Sequence, residues 1–156
     1  IKEEEIMAKN YNEIYSKVKE FKRKYPMTIA WRLKAHSKLA SRYIGENEKV
    51  LYAFACQNNH FSYEIFMTYV VVLTSERIIL AQKRLFFGSF FKSITPDMYN
   101  DLTIKTGIIW GKLCIDTIKE VVQLSNLDKG SLPELESTIT NFMLDAKKQY
   151  PDIDNK

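Results

Sequence analysis

VLTSERIIL, at residues 72–80, is the stretch of this 156-residue sequence that decides the fold class. Two runs of aliphatic residues flank a polar segment from Thr74 to Arg77, which is the pattern of two strands joined by a tight hairpin turn. Short apolar runs separated by polar turns continue on both sides of it. They predict seven strands, at residues 49–56, 67–74, 77–83, 90–95, 102–106, 111–116 and 119–124. Such a series indicates an antiparallel sheet that curls into a barrel or sandwich.

A well-marked helix follows the strands, at residues 131–150. Ser131 is a suitable N-cap, Pro133 favours the first turn, and Glu134 stands at the capping-box position. We expect this helix to plug an opening of the barrel or to cover one face of the sheet. The side chains predicted to be buried there are Leu135, Ile139 and Phe142.

The first 45 residues predict a helical arm of two helices broken at Pro26, and residues 46–156 predict the barrel domain. The first helix spans residues 3–24 and the second spans residues 28–44. An apolar seam at helical spacing follows the first helix: Met7, Tyr11, Ile14, Val18, Phe21 and Tyr25. Left exposed, it would form a larger patch than soluble proteins tolerate. We therefore expect it to lie on the second helix, on the barrel or on another copy of the chain, and we predict self-association.

Four short motifs resemble the bacterial pleckstrin-homology-like domains of the YokE-like type. They are GENEKV at 45–50, VLTSERIIL at 72–80, SITPDMY at 93–99 and TGIIWGKL at 106–113. The resemblance spans residues 45–150. It implies an α+β fold, in which a seven-stranded antiparallel barrel is capped by a C-terminal α-helix. It implies little about activity.

The sequence contains no recognisable catalytic or metal-binding pattern. Its two histidines, His36 and His60, fall in different predicted elements, and no Cys/His pair has zinc-ligand spacing. We therefore expect a protein that is not an enzyme and needs no cofactor. Cys56 and Cys114 lie in apolar strand-like runs, where a free cysteine is usually buried. Reduced cysteines and a first segment without signal-peptide features favour a cytoplasmic location.

The first predicted hairpin bears on lipid recognition. Lipid-binding PH domains place basic residues there, but residues 56–66 of this chain contain no Lys or Arg. We therefore expect no phosphoinositide site in the first hairpin.

Basic residues are concentrated in the arm, where nine lie between Lys17 and Arg42 and only Glu20 opposes them. They form either a solvated helix face or a surface for anionic lipid. The segment KRLFFGSFFK, at 83–92, is either a membrane wedge or a set of phenylalanines that pack into the barrel and beneath the arm. The candidate interaction surface is Tyr11, Ile14, Val18, Phe21, Lys34, Lys38, Arg42, Lys83, Arg84, Phe86, Phe87 and Lys92.

Two functions fit these observations. The leading hypothesis is a non-catalytic adaptor that binds a protein or peptide, including another copy of itself, through a strand edge or the arm. The alternative is a peripheral membrane-binding module that uses the basic arm and the phenylalanine-rich loop. Nucleic-acid binding ranks last, because the arm has the charge but no base-stacking or recognition-helix pattern.

Overall fold

A seven-stranded antiparallel sheet, curled into a half-barrel, forms the centre of the computed structural model, which describes residues 2–58, 68–84 and 87–149. The elements are α1 (Lys2–Lys24), α2 (Leu33–Ser41), β1 (Val50–Gln57), β2 (Thr68–Thr74), β3 (Ile78–Lys83), β4 (Ser89–Ile94), β5 (Tyr99–Thr106), β6 (Trp110–Thr117), β7 (Val121–Asp128) and α3 (Leu132–Gln149). Short 3-10 helices lie at Pro96–Met98 and Lys129–Ser131.

The strand order is β4-β3-β2-β1-β7-β6-β5, so the sheet has β4 and β5 at its edges. The predicted antiparallel fold is confirmed. The VLTSERIIL hairpin closes where the Thr74 N–H donates to the Arg77 carbonyl at 2.9 Å. Among the described residues, β1 and β7 pair in register at Gln57 and Ser125 alone, where the two halves of the sheet meet.

The concave face of the sheet packs on α3. Leu135, Ile139 and Met143 of this helix are fully buried among strand residues such as Leu113 and Leu124. The prediction was correct for Leu135 and Ile139, but Phe142 is only half-buried. Met143 takes the inward position because it follows Ile139 by four residues and therefore lies on the same helix face.

The convex face is covered by the arm. Ile14 and Val18 of α1, together with Leu39 and Ala40 of α2, are buried against β1, β2 and β3. Every residue of β2 is buried, because the arm covers one face of that strand and the core inside the half-barrel covers the other. The division of the chain at residue 45 stays a prediction, but the arm contributes directly to the packing of the sheet.

α2 is much shorter than the predicted helix at residues 28–44. Residues 26–32, which we call the strap, run along the end of the sheet and make hydrogen bonds to strands. Ile29 N–H donates to the Asn126 carbonyl at 2.9 Å, and Trp31 N–H donates to Thr68 Oγ1 at 3.0 Å. These bonds replace the helical bonds that the sequence pattern predicted, and α2 begins only after Arg32, whose φ is 53°.

Candidate interaction surface

Most of the apolar seam of α1 is covered within the chain. Ile14, Val18 and Phe21 are buried, so they do not present an exposed surface, and Tyr11 is half-buried and stacks on Tyr15 with ring centroids 5.8 Å apart. The middle of the seam is covered because α1 lies on the sheet itself as well as on α2. Met7, at the start of the seam, is exposed, and self-association stays a prediction.

The first half of the strap is bonded to the start of β6 and to the end of β7. The Trp110 indole Nε1 donates to the Met27 carbonyl at 2.8 Å. The Asp128 N–H donates to Thr28 Oγ1 at 2.9 Å, and the Asp128 carboxylate accepts from the Met27 N–H at 3.2 Å. Backbone and side-chain groups of these two strands thus both hold the first half of the strap.

The second half of the strap reaches the end of β3. Arg32 Nη1 donates to the Lys83 carbonyl at 2.8 Å, while His36 Nδ1 accepts from the Lys83 N–H at 2.8 Å. His36 also has a hydrogen bond with the Trp31 backbone. Burial, reinforced by the nearby Arg32 charge, lowers the pKa of His36 to about 4. At neutral pH the imidazole is therefore uncharged, as an acceptor nitrogen requires.

These contacts bring together an exposed group that we call the basic–aromatic face: Trp31, Arg32, Lys83, Arg84 and Phe87. Trp31 is 48% exposed and Phe87 is 87% exposed. Within the part of the chain that the structure describes, none of its three cations forms an ion pair. Lys34, Lys38 and Arg42 are also exposed, along the α2 helix that follows the strap.

Other cations of the arm are already engaged. Lys24 pairs with Glu134 at 2.6 Å, Arg23 pairs with Glu20, and Lys22 donates to the Pro26 carbonyl at 3.1 Å. Only part of the basic arm therefore remains available to an external anion.

The phenylalanine-rich segment divides between the core and the surface. Phe90 packs edge-on against Tyr69, and Phe91 stacks on Tyr43 of the arm with centroids 4.1 Å apart. Phe87 instead points to solvent. Lys92 is not part of the basic–aromatic face, since it pairs with Glu120. Phe86 lies outside the described residues.

Two further predictions concern residues that the structure describes only in part. The segment at 56–66, expected to lack a phosphoinositide site, falls mostly outside the described residues, as does His60.

Among the residues that are described, no group of three or more His, Cys, Asp or Glu is placed to hold a metal ion. Cys56 and Cys114 are free and buried. No described helix is both long and apolar enough to cross a bilayer.

Sequence reasoning missed Trp31 and Arg32 because it placed them inside a helix. The β-branched pair Thr28-Ile29, which follows Pro26 and Met27, was the available signal for an extended segment. Their proximity to Lys83 depends on contacts between residues about fifty positions apart, which no local pattern reports.

Residues 44–141 match the family model described as the bacterial PH domain, which is more than half of the chain. The chain belongs to the bacterial PH-domain family. The resemblance noted in the motifs is thereby confirmed, and the arm up to residue 43 lies outside the matched region of this PH domain.

Two solved structures are similar to this PH domain. One is a DUF1696-family protein with a pleckstrin-homology domain from Shewanella loihica PV-4, at 20% identity over 64% of this chain and 83% of that chain, with a TM-score of 0.47. The other is a pleckstrin homology domain from Shewanella amazonensis SB2B, at 17% identity over 74% of this chain and 90% of that chain, also with a TM-score of 0.47. A search among curated proteins finds no match.

Proposed function

We propose that this PH domain is a non-catalytic module that docks on anionic membrane surfaces through the basic–aromatic face. The observation that carries the proposal is the exposure of Trp31 and Phe87 next to Arg32, Lys83 and Arg84, cations that form no ion pair with any residue that the structure describes. Aromatic rings favour the headgroup layer of a bilayer, while each Lys or Arg close to an anionic leaflet contributes about 1 kcal/mol.

The local geometry supports this function because the face is held in place before any ligand binds. Trp31, Arg32 and Lys83 are each fixed by a backbone or side-chain hydrogen bond at the end of the sheet. The backbone that carries the face is therefore already ordered, which reduces the conformational entropy lost on docking.

Two acidic residues lie far from the strap. Asp101 and Asp116 stand opposite each other across β5 and β6, at the other end of β6 from Trp110. At the strap itself, the Asp128 carboxylate accepts hydrogen bonds from the Met27 and Gly130 N–H groups. With the strap end towards an anionic surface, repulsion from Asp101 and Asp116 is reduced.

The test is co-sedimentation of the intact chain with phosphatidylcholine vesicles, with and without phosphatidylserine, at low and high salt. We expect binding only to the phosphatidylserine vesicles, weakened by salt. The double substitution Lys83→Glu, Arg84→Glu should reduce affinity at least about tenfold, from the loss of two cations. Lys119→Glu, an exposed cation in the β6–β7 turn, is the matched control. Equal binding of both vesicle types, or equal effects of the two variants, contradicts the proposal.

A protein or peptide ligand, the leading hypothesis from the sequence, is a second candidate with its own supporting observation. In the described chain β5 pairs only with β6, and most of its side chains are exposed. Such an edge strand can accept an extended peptide by strand addition. A photo-crosslinking residue at Thr103 should then give a discrete protein adduct in cells, identified by mass spectrometry. The same residue at Ile118 should give none; equal labelling from both positions argues against this candidate.

A further inference from the structure

The tip of the β5–β6 hairpin is the most exposed apolar feature of the described chain. Ile108 is 95% exposed and Ile109 is 52% exposed. The turn is closed by the Gly107 N–H, which donates to the Trp110 carbonyl at 2.9 Å. Tight turns favour Gly, Pro, Asn, Asp and Ser, so two adjacent isoleucines at such a position are unusual.

Cations surround these two isoleucines. Lys129 Nζ donates to the Ile108 carbonyl at 2.6 Å, directly behind the tip. Lys105 and Lys112 stand opposite each other in the register of β5 and β6. Two like charges in this arrangement destabilise a ladder unless an anion compensates them. The sequence contains no Asp or Glu between Asp101 and Asp116, so the hairpin itself supplies no such anion.

The tip is also attached to the strap. The hydrogen bond from the Trp110 indole to the Met27 carbonyl joins the hairpin to the segment that leads to Trp31 and Arg32. Met27 itself is exposed. The hairpin tip and the basic–aromatic face therefore lie at the two ends of one fixed segment.

We infer that the β5–β6 hairpin tip is a second membrane contact, in which Ile108 and Ile109 enter the interfacial layer of an anionic bilayer while Lys105, Lys112 and Lys129 contact its headgroups. The inference rests on the proposed function for its ligand, but it assigns a separate site. Two exposed isoleucines on a projecting turn offer a small apolar surface with a basic surround, which suits a lipid interface.

Membrane contact at two points has a mechanical consequence. A single cluster of cations and aromatic rings leaves a domain free to tilt on the bilayer. A second contact, joined to the first by the strap, fixes the orientation of the sheet relative to the bilayer. The overall affinity for the membrane also rises, because the second contact forms within a protein that is already bound.

The experiment places an environment-sensitive nitrobenzoxadiazole dye at the tip through Ile108→Cys, in the intact chain. Ile118→Cys is the matched control, because Ile118 is 67% exposed in the turn between β6 and β7. The native Cys56 and Cys114 are buried, so labelling is confined to the introduced thiol. On addition of phosphatidylserine-containing vesicles, we expect a blue-shifted and brighter emission at position 108 and no change at position 118. Unchanged emission at position 108, or the same shift at both positions, overturns the inference.

A third labelled variant, Phe87→Cys, separates this inference from the proposed function. A shift at position 87 without a shift at 108 overturns the tip contact and leaves the basic–aromatic face standing. A shift at 108 without one at 87 supports the tip and overturns the proposed face. In sedimentation, the double substitution Ile108→Ser, Ile109→Ser should lower vesicle affinity at least about tenfold, with no change in thermal stability; unchanged affinity overturns the tip contact.

Discussion

The seam of α1 and the tip of the β5–β6 hairpin are both conspicuously apolar, but the fold treats them in opposite ways. Ile14, Val18 and Phe21 of the seam are buried against the sheet, whereas Ile108 is almost fully exposed. Helical spacing aligns the seam into one stripe that the sheet can cover. A turn projects beyond the last paired residues, so no neighbouring element covers it. In this chain, apolar residues at helical spacing therefore lie mostly in the core, whereas the apolar residues at the turn form an outer surface.

The largest expected effect tests the buried half of this comparison. Phe21→Ala should lower the free energy of unfolding by about 3–5 kcal/mol, because it leaves a cavity beside Phe54, whose ring centroid is 5.4 Å away. Ile108→Ala should change it by less than about 0.5 kcal/mol. Urea denaturation of both variants gives the values. A cost for Phe21→Ala close to that of Ile108→Ala is inconsistent with a covered seam.

The next prediction concerns the ion pair between Glu48 and Arg77, which connects the arm to the sheet. Buried Glu48 accepts from Arg77 Nε at 3.0 Å and from the Gly45 N–H at 2.9 Å, while Arg77 Nη2 donates to the Tyr43 carbonyl at 2.7 Å. Glu48→Gln should cost about 3 kcal/mol, since it leaves Arg77 without its counter-charge. Glu46→Gln, at an exposed neighbouring position, should cost almost nothing. Equal denaturation midpoints for these two variants argue against a structural role for the pair.

The same carboxyl predicts an acid-dependent loss of stability. Burial opposes ionisation of Glu48, but hydrogen bonds from Arg77, Gly45 and Thr74 outweigh it and hold its pKa below the ordinary value. Its contribution is therefore fully present above the unfolded-state pKa, about 4.3, and it is lost as the pH falls through the lower folded-state pKa. Glu48→Gln should flatten the stability profile in that acidic range.

His36 predicts a second and separate pH dependence, where α2 contacts the end of β3. Its folded-state pKa of about 4 lies below the ordinary 6.5. Between these values the unfolded chain binds a proton that the folded chain does not, so stability should fall by up to about 1.4 kcal/mol for each unit of decreasing pH. Urea denaturation from pH 7 to pH 4.5 measures this slope. It should be reduced in His36→Gln, and an unchanged slope contradicts the assignment.

Much of the fold could be predicted because its signals are local. The VLTSERIIL hairpin, the Ser131 start of the last helix and the seam of α1 all follow from neighbouring residues. The inward face of α3 was partly misassigned, since Phe142 and Met143 are adjacent and both apolar, and only packing selects between them.

The candidate site was harder to predict, because its residues come from distant parts of the chain. Lys83, Arg84 and Phe87 were identified as candidates from composition, but their place beside Trp31 and Arg32 depends on the strap. The strap in turn depends on strand β7, whose Asn126 is almost one hundred residues from Ile29. Ile108 and Ile109 lie between the strands predicted at 102–106 and 111–116, so the sequence placed them in a turn, but it did not report how far they are exposed.

The most direct test of the account is whether Trp31 enters a bilayer. Tryptophan emission of the intact chain, which contains only two tryptophans, is measured with anionic vesicles that carry brominated acyl chains. We expect quenching by these vesicles and a clear reduction of the quenched signal in the variant Trp31→Phe. Absence of quenching, or quenching that is the same after Trp31→Phe, would contradict the claim that the basic–aromatic face docks on membranes.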